Sequence, residues 1–151
     1  MSAQIAYLDS SAMVKRYVEE VGTERVRELY LEAYAGDVRL AFSLWNIGEV
    51  LGVLDRARRL DRISEEDYAR TKRAFLLETR RLVRLGLALI VPVKSVILTH
   101  SWRLVEKHHI YQADALQVAS AKYVRATQFL VADEKLHEVA RNEGLNSVRL
   151  G

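Results

Sequence analysis

Four acidic residues in this chain fall where a solvated surface would not put them. Asp9 comes directly after the apolar run 5–8 and before two serines, in "AYLDSSAMVKRYV". Asp133 follows "FLVA" and opens "EKLHEVARNEG". Asp114 stands near the start of "YQADALQVASAKYV", a stretch apolar nearly all round through Ala113, Ala115, Leu116, Val118, Ala119 and Ala121. Glu49 lies in "SLWNIGEVLGVL", with Trp45 four residues before it and Val53 four after. A helix there gives Glu49 apolar neighbours on its own face, so it is expected to be nearly buried. Buried carboxylates are costly unless they are paired or bind a cation. Gly48 and Gly52 flank it and weaken the helix by up to about 1 kcal/mol each, which points to close packing or to room beside the acid.

Each acid has a simpler explanation when taken alone. Asp is a preferred helix N-cap, and a carboxylate in a first turn gains roughly 0.3–1 kcal/mol from the helix dipole. One shared pocket explains all four with a single cause. Such a pocket would repel itself without a counter-charge. All-oxygen donors suit a hard divalent cation, Mg2+ or Mn2+. The chemistry this allows is attack of a metal-activated water on a phosphodiester. A side-chain nucleophile is not evident, since the chain has no cysteine and no G-x-S-x-G elbow.

The elements that must position these acids alternate between strand and helix. Short continuous apolar runs at 4–8, 39–42, 88–92, 128–132 and 147–150 suit strands buried on both faces. Helical patterns fill 11–18, 22–35, 43–60, 64–85, 94–109, 112–126 and 134–143. Ser64 with Asp67 three residues on marks a helix start, and Gly144 marks a stop. The long segment 43–85 has no strand and reads as a helical hairpin turning near Leu60 to Ile63. The alternation predicts an α/β fold with a parallel sheet of about five strands and helices on both faces. Asp9 and Asp133 then share the edge at the carboxyl ends of the strands, where such sheets place their ligands. Glu49 and Asp114 lie near helix starts that leave the same edge.

Composition bounds the rest. A chain of 151 residues, half of them apolar and with one proline, suits a single globular domain over 1–151. No apolar run approaches the roughly 18 residues of a membrane helix, and "MSAQIAYLD" lacks the basic start of a secretory signal. A cytoplasmic protein without a membrane partner is the expectation. The absence of cysteine excludes disulfides and Cys-based zinc sites. Net charge is +3. Ten of the basic residues fall within 56–84, from Arg56 to Arg84. They would meet a phosphate backbone, or form a solvated helix face laced with Glu and Asp.

Taken in order, "AYLDSSAMVKRYVEE", "SLWNIGEVLGVLDR", "QADALQVASAKY" and "FLVADEKLHEVARNEGL" resemble a PIN domain, most of all the VapC-type ribonuclease toxins of toxin–antitoxin pairs. The motifs span nearly the whole chain. Their most specific part is D-A-L-x-x-A-S-A followed by A-D-x-x-L. The resemblance implies a three-layer α/β/α sandwich and an acidic site of Asp9, Glu49, Asp114 and Asp133. Asp9 and Asp114 would be direct magnesium ligands, with Glu49 and Asp133 acting directly or through water. Ser10 or Ser11 would hold a carboxylate or a metal-bound water. It further implies an RNA substrate, a homodimer, and a cognate antitoxin whose tail enters the groove. The segment 56–85 matches no motif of the family.

Two other functions stay open. A module of the same fold could bind RNA or a protein without cutting. A phospho-acceptor receiver domain would need an acidic pair after the first strand and a lysine after the last core strand, and the chain has neither. Among lone residues, the adjacent His108 and His109 face different sides of a helix and form no metal spacing. His100 and His137 read the same way, as structural residues. Trp45, Trp102 and the tyrosines could stack bases, although core or interface packing explains them more simply. Tyr30, Tyr34 and Tyr68 are the expected subunit contacts. Asn46, a turn before Glu49, either lends the site a polar contact or belongs to a helix surface.

Overall fold

A computed structural model describes residues 4–151. The five apolar runs become β1 (Ile5–Leu8), β2 (Arg39–Ser43), β3 (Ala88–Val91), β4 (Gln128–Val131) and β5 (Ser147–Arg149). They pair in the order β3-β2-β1-β4-β5, and every neighbouring pair is parallel. Seven helices connect them: α1 (Ser10–Val14), α2 (Thr23–Tyr34), α3 (Leu44–Arg59), α4 (Glu65–Arg84), α5 (Ser95–His108), α6 (Gln112–Tyr123) and α7 (Glu134–Asn142). Strand alternation divides the core in two. Ala6, Leu8, Leu40, Phe42 and Leu130 face one side, under Met13, Leu29, Val50 and Phe75 of α1 to α4. Tyr7, Ala41, Phe129 and Val131 face the other, under Ile97, Leu116 and Val139 of α5 to α7. This is the three-layer α/β/α sandwich.

The strand order settles one alternative. A receiver-type sheet runs 2-1-3-4-5, and this one runs 3-2-1-4-5. The order turns back between β1 and β4, so the crevice lies beyond the carboxyl ends of those two strands.

Several boundaries differ from the sequence expectation. Helix α1 stops at Val14 instead of reaching 18, because the chain must turn back to begin α2. Lys15, only 6% exposed, holds that turn through Glu20 at 3.1 Å and the Val21 carbonyl. Gly22 caps α2 at φ +94, and a Cβ there would lie 2.5 Å from the Leu150 carbonyl oxygen. At the far end, α6 stops at Tyr123 instead of 126, and Arg125 at φ 55 directs the chain into β4.

Helices α3 and α4 form the expected hairpin. Asp61 at φ 55 makes the turn, and Ser64 caps α4 by accepting the Asp67 amide at 3.0 Å. Glu78 fastens α4 to the body. It accepts two 2.9 Å bonds from Arg16, one of 2.7 Å from the Tyr17 hydroxyl and one of 2.8 Å from the Tyr34 hydroxyl. Part of the basic stretch is balanced locally: Arg58 and Arg59 pair with Asp55, and Arg70 with Asp67.

Two aromatic expectations need correction, Tyr30 as a subunit contact and the tryptophans as core residues. Tyr30 is 2% exposed under the Arg16 guanidinium, inside the core and not at a surface where subunits meet. Tyr34 and Tyr68 are partly buried, the first spent on Glu78 and the second covered by Arg58 at 4.1 Å. Trp45 and Trp102 are about half exposed, at 50% and 56%, so neither is a core residue. No described helix is long and apolar enough to cross a membrane.

Candidate active site

Asp9 stands at the carboxyl end of β1 and is 6% exposed. Its Oδ1 accepts the Ala12 amide at 2.9 Å, which caps α1, and the Ser11 hydroxyl at 2.6 Å. The Ser11 hydroxyl oxygen in turn accepts the Ala132 amide at 3.1 Å, just beyond β4. One side chain therefore ties together the two strand ends that flank the crevice. Burial pushes the Asp9 carboxyl up to about 6, the Ser11 and Ala12 bonds oppose this, and the charges of Glu49 and Asp114 add to it.

Glu49 is half-buried, not nearly buried as its sequence neighbours suggest. Trp45 and Val53 point outward, and the core face of α3 is Asn46, Val50 and Leu54. A Cβ on Gly48 or Gly52 would meet nothing within 4 Å, so the glycines leave open space instead of permitting close packing. Burial raises the Glu49 carboxyl against donors on Asn46 and Ser10, and Asp114 raises it further.

Asn46 is the residue that aims Glu49. It is 0% exposed, so it does not belong to a helix surface. Its Oδ1 accepts the Ser43 amide at 2.7 Å and closes the capping box of α3. Its Nδ2 donates to Glu49 Oε1 at 3.1 Å and to Gln117 Oε1 at 2.9 Å. The Tyr7 hydroxyl also donates to Gln117 Oε1, at 2.7 Å. Strand β1, helix α3 and helix α6 are thus joined by one buried polar chain that ends on an acid.

Asp114 lies in the first turn of α6 and is partly exposed. Burial raises its carboxyl and the charge of Asp133 adds to the rise. Asp133 caps α7 by accepting the Leu136 amide at 2.8 Å, and is exposed. Asp114 and Asp133 line one cavity of about 230 Å³. Asp9 feels the charges of Glu49 and Asp114, Glu49 that of Asp114, and Asp114 that of Asp133, with which it shares a cavity wall.

Residues 6–142 match the PIN domain family. This chain is a PIN domain. Solved structures with the same fold include the Mycobacterium tuberculosis toxin VapC20, described as cleaving the sarcin-ricin loop. It is 15% identical, has a TM-score of 0.65, and the match covers 95% of this chain and 98% of that one. VapBC2 from Rickettsia felis, bound to a promoter DNA fragment, is 14% identical over 98% of this chain and 100% of that one, with a TM-score of 0.63. A toxin–antitoxin complex from Klebsiella pneumoniae is 16% identical over 97% and 98%, with a TM-score of 0.61. Among curated proteins, none matches.

The donor chemistry of this PIN domain fits a hard divalent cation. The candidate acids offer carboxylate oxygens only, and Asp9, Glu49 and Asp114 are each raised above their ordinary values, first by burial and then by a neighbouring acid. Among the described residues, no three acidic or histidine side chains stand close enough together to hold a metal ion as they are. Of the histidines, His109 lines the cavity of Asp114 and Asp133, and two are engaged elsewhere. His108 bonds Glu143 at 2.7 Å, and His137 bonds Ser147 at 2.7 Å. Sequence reasoning missed Tyr7 and Gln117. The signals were present, a tyrosine inside a buried strand and a glutamine on a helix otherwise apolar all round.

Proposed function

We propose that this PIN domain, taken as one unit over residues 1–151, is a divalent-metal-dependent endoribonuclease and the toxin of a toxin–antitoxin pair. The observation that carries this is the PIN-family match over residues 6–142, with Asp9 at the end of β1 where the strand order reverses and Asp114 and Asp133 lining one cavity. Asp9 and Asp114 would hold Mg2+ or Mn2+ directly, with Glu49 and Asp133 directly or through water. When bound, such an ion supplies positive charge to the phosphodiester oxygens and acidifies water. The chain's own residues do the positioning. Ser11 and the Ala12 amide fix one oxygen of Asp9 and leave the other free. Asn46 fixes one oxygen of Glu49.

The solved relatives described as toxins and toxin–antitoxin complexes support a cognate antitoxin as partner. A homodimer acting in the cytoplasm completes the reading. The test is incubation of the purified protein with an end-labelled structured RNA pool, with magnesium, manganese or chelator. Metal-dependent cutting at defined positions is expected. RNA binding without cutting in either metal would leave a silent module of the same fold.

A further inference from the structure

We infer that the cavity between the α5–α6 turn and the start of α7 seats one nucleobase of the RNA, beside the phosphate that a cation at the acids would hold. This rests on the ribonuclease reading for the place of the phosphate, but not for the binding itself. The cavity measures about 230 Å³. That is below the roughly 300–1,000 Å³ of sites that bury a whole drug-sized ligand, and it suits one ring system of a longer chain. Asp114 and Asp133 line one side of it. Its apolar walls are Ile110 and Leu136, and Lys135 stands at the rim.

Tyr111 is the telling residue. It is 84% exposed, which is wasteful for an aromatic ring unless the ring has something to cover. His109 ends α5 at φ 56, and the chain turns there to carry Ile110 and Tyr111 to the cavity. An aromatic face and an apolar wall suit a base, the carboxylates can accept from its amino groups, and the cation of Lys135 suits its flanking phosphate. The face stacks the base, the wall excludes water and Lys135 takes a neighbouring phosphate.

Base stacking lost by truncation weakens binding about 5- to 150-fold. The experiment measures binding of a labelled RNA tetranucleotide pool by fluorescence anisotropy over a series of salt concentrations, in chelator so that nothing is cut. Wild type, Tyr111→Ala, Tyr111→Phe and Lys135→Ala are compared. Tyr111→Ala should weaken binding at least fivefold, Tyr111→Phe should stay near wild type, and Lys135→Ala should flatten the salt dependence. Amide shifts on adding nucleoside 5′-monophosphates should fall on Ile110, Asp114 and Leu136. Equal binding by wild type and Tyr111→Ala, with shifts elsewhere, would overturn the inference. Metal-dependent cutting by wild type is scored separately. If it is present while Tyr111→Ala binds normally, only this inference falls. If it is absent while Tyr111→Ala binds weakly, the base site stands and the nuclease reading falls.

Discussion

Asp9 uses one oxygen to cap α1 and take the Ser11 hydroxyl, and so keeps the other for the crevice. Its carboxyl is held up to about 6, against an ordinary 3.8, and this has a consequence for stability. The folded state binds its proton more tightly than the unfolded chain, so stability in chelator falls as pH rises from about 4 to about 6 and stays low above that. Asp9→Asn keeps the acceptor and removes the charge. In chelator at pH 7 it should stabilise the protein by about 2–3 kcal/mol, read as a raised Tm. With saturating magnesium the order should reverse, because only wild type gains from the ion. An unchanged Tm in chelator would mean that Asp9 is not strained. Asn46 carries the opposite expectation. Asn46→Ala leaves Gln117, Glu49 and the Ser43 amide short of a partner, at a cost of ~1–3 kcal/mol for each buried group orphaned. Urea denaturation should show a lower midpoint with unchanged slope. The acids were legible in the sequence because each interrupts an apolar pattern. Asn46 was not, since a single asparagine on an amphipathic helix looks the same whether it faces water or a buried glutamine 71 residues away.

The elements were legible wherever local pattern decides them. Apolar runs gave the strands, and Ser64 and Gly144 gave a start and a stop. What the local pattern cannot show is which side of a helix meets the sheet. The stripe Trp45–Glu49–Val53 looked like a core face, but tertiary packing turned Asn46, Val50 and Leu54 inward instead. Nor does periodicity show where helices are tied to one another. Glu143, just past α7, accepts from Lys107 and His108 near the end of α5 and from Lys122 in α6, at 2.7–3.0 Å. The side chain is only 7% exposed, and the bonds from these bases hold its carboxyl down at about 2 despite burial. A lowered carboxyl stabilises the fold above its ordinary pKa and loses that contribution as pH falls towards 2. Glu143→Gln should therefore cost up to ~3 kcal/mol at pH 7, and the deficit should shrink below pH 4. A deficit independent of pH in chemical denaturation would show that the cluster acts by shape and not by charge.

For the molecule as a whole, strand–helix alternation sufficed for a parallel sheet with helices on both faces, but not for the order of its strands. That order is what puts Asp9 and Asp133 on either side of one crevice, with Glu49 and Asp114 arriving from helices that border it. The basic segment 56–84 stayed ambiguous in the sequence because its balancing acids come from within it and its anchor, Glu78, reaches to Arg16, Tyr17 and Tyr34 far away in the chain. We propose that the four acids together would hold a divalent cation and that RNA is cut at this site. The most direct measurement compares wild type with Asp114→Asn for manganese binding by calorimetry and for cleavage of the same end-labelled RNA in manganese. The account predicts that wild type binds the metal and cuts, and that the variant, still folded by circular dichroism, loses both by at least tenfold. Cutting that persists at the wild-type rate in Asp114→Asn would contradict it.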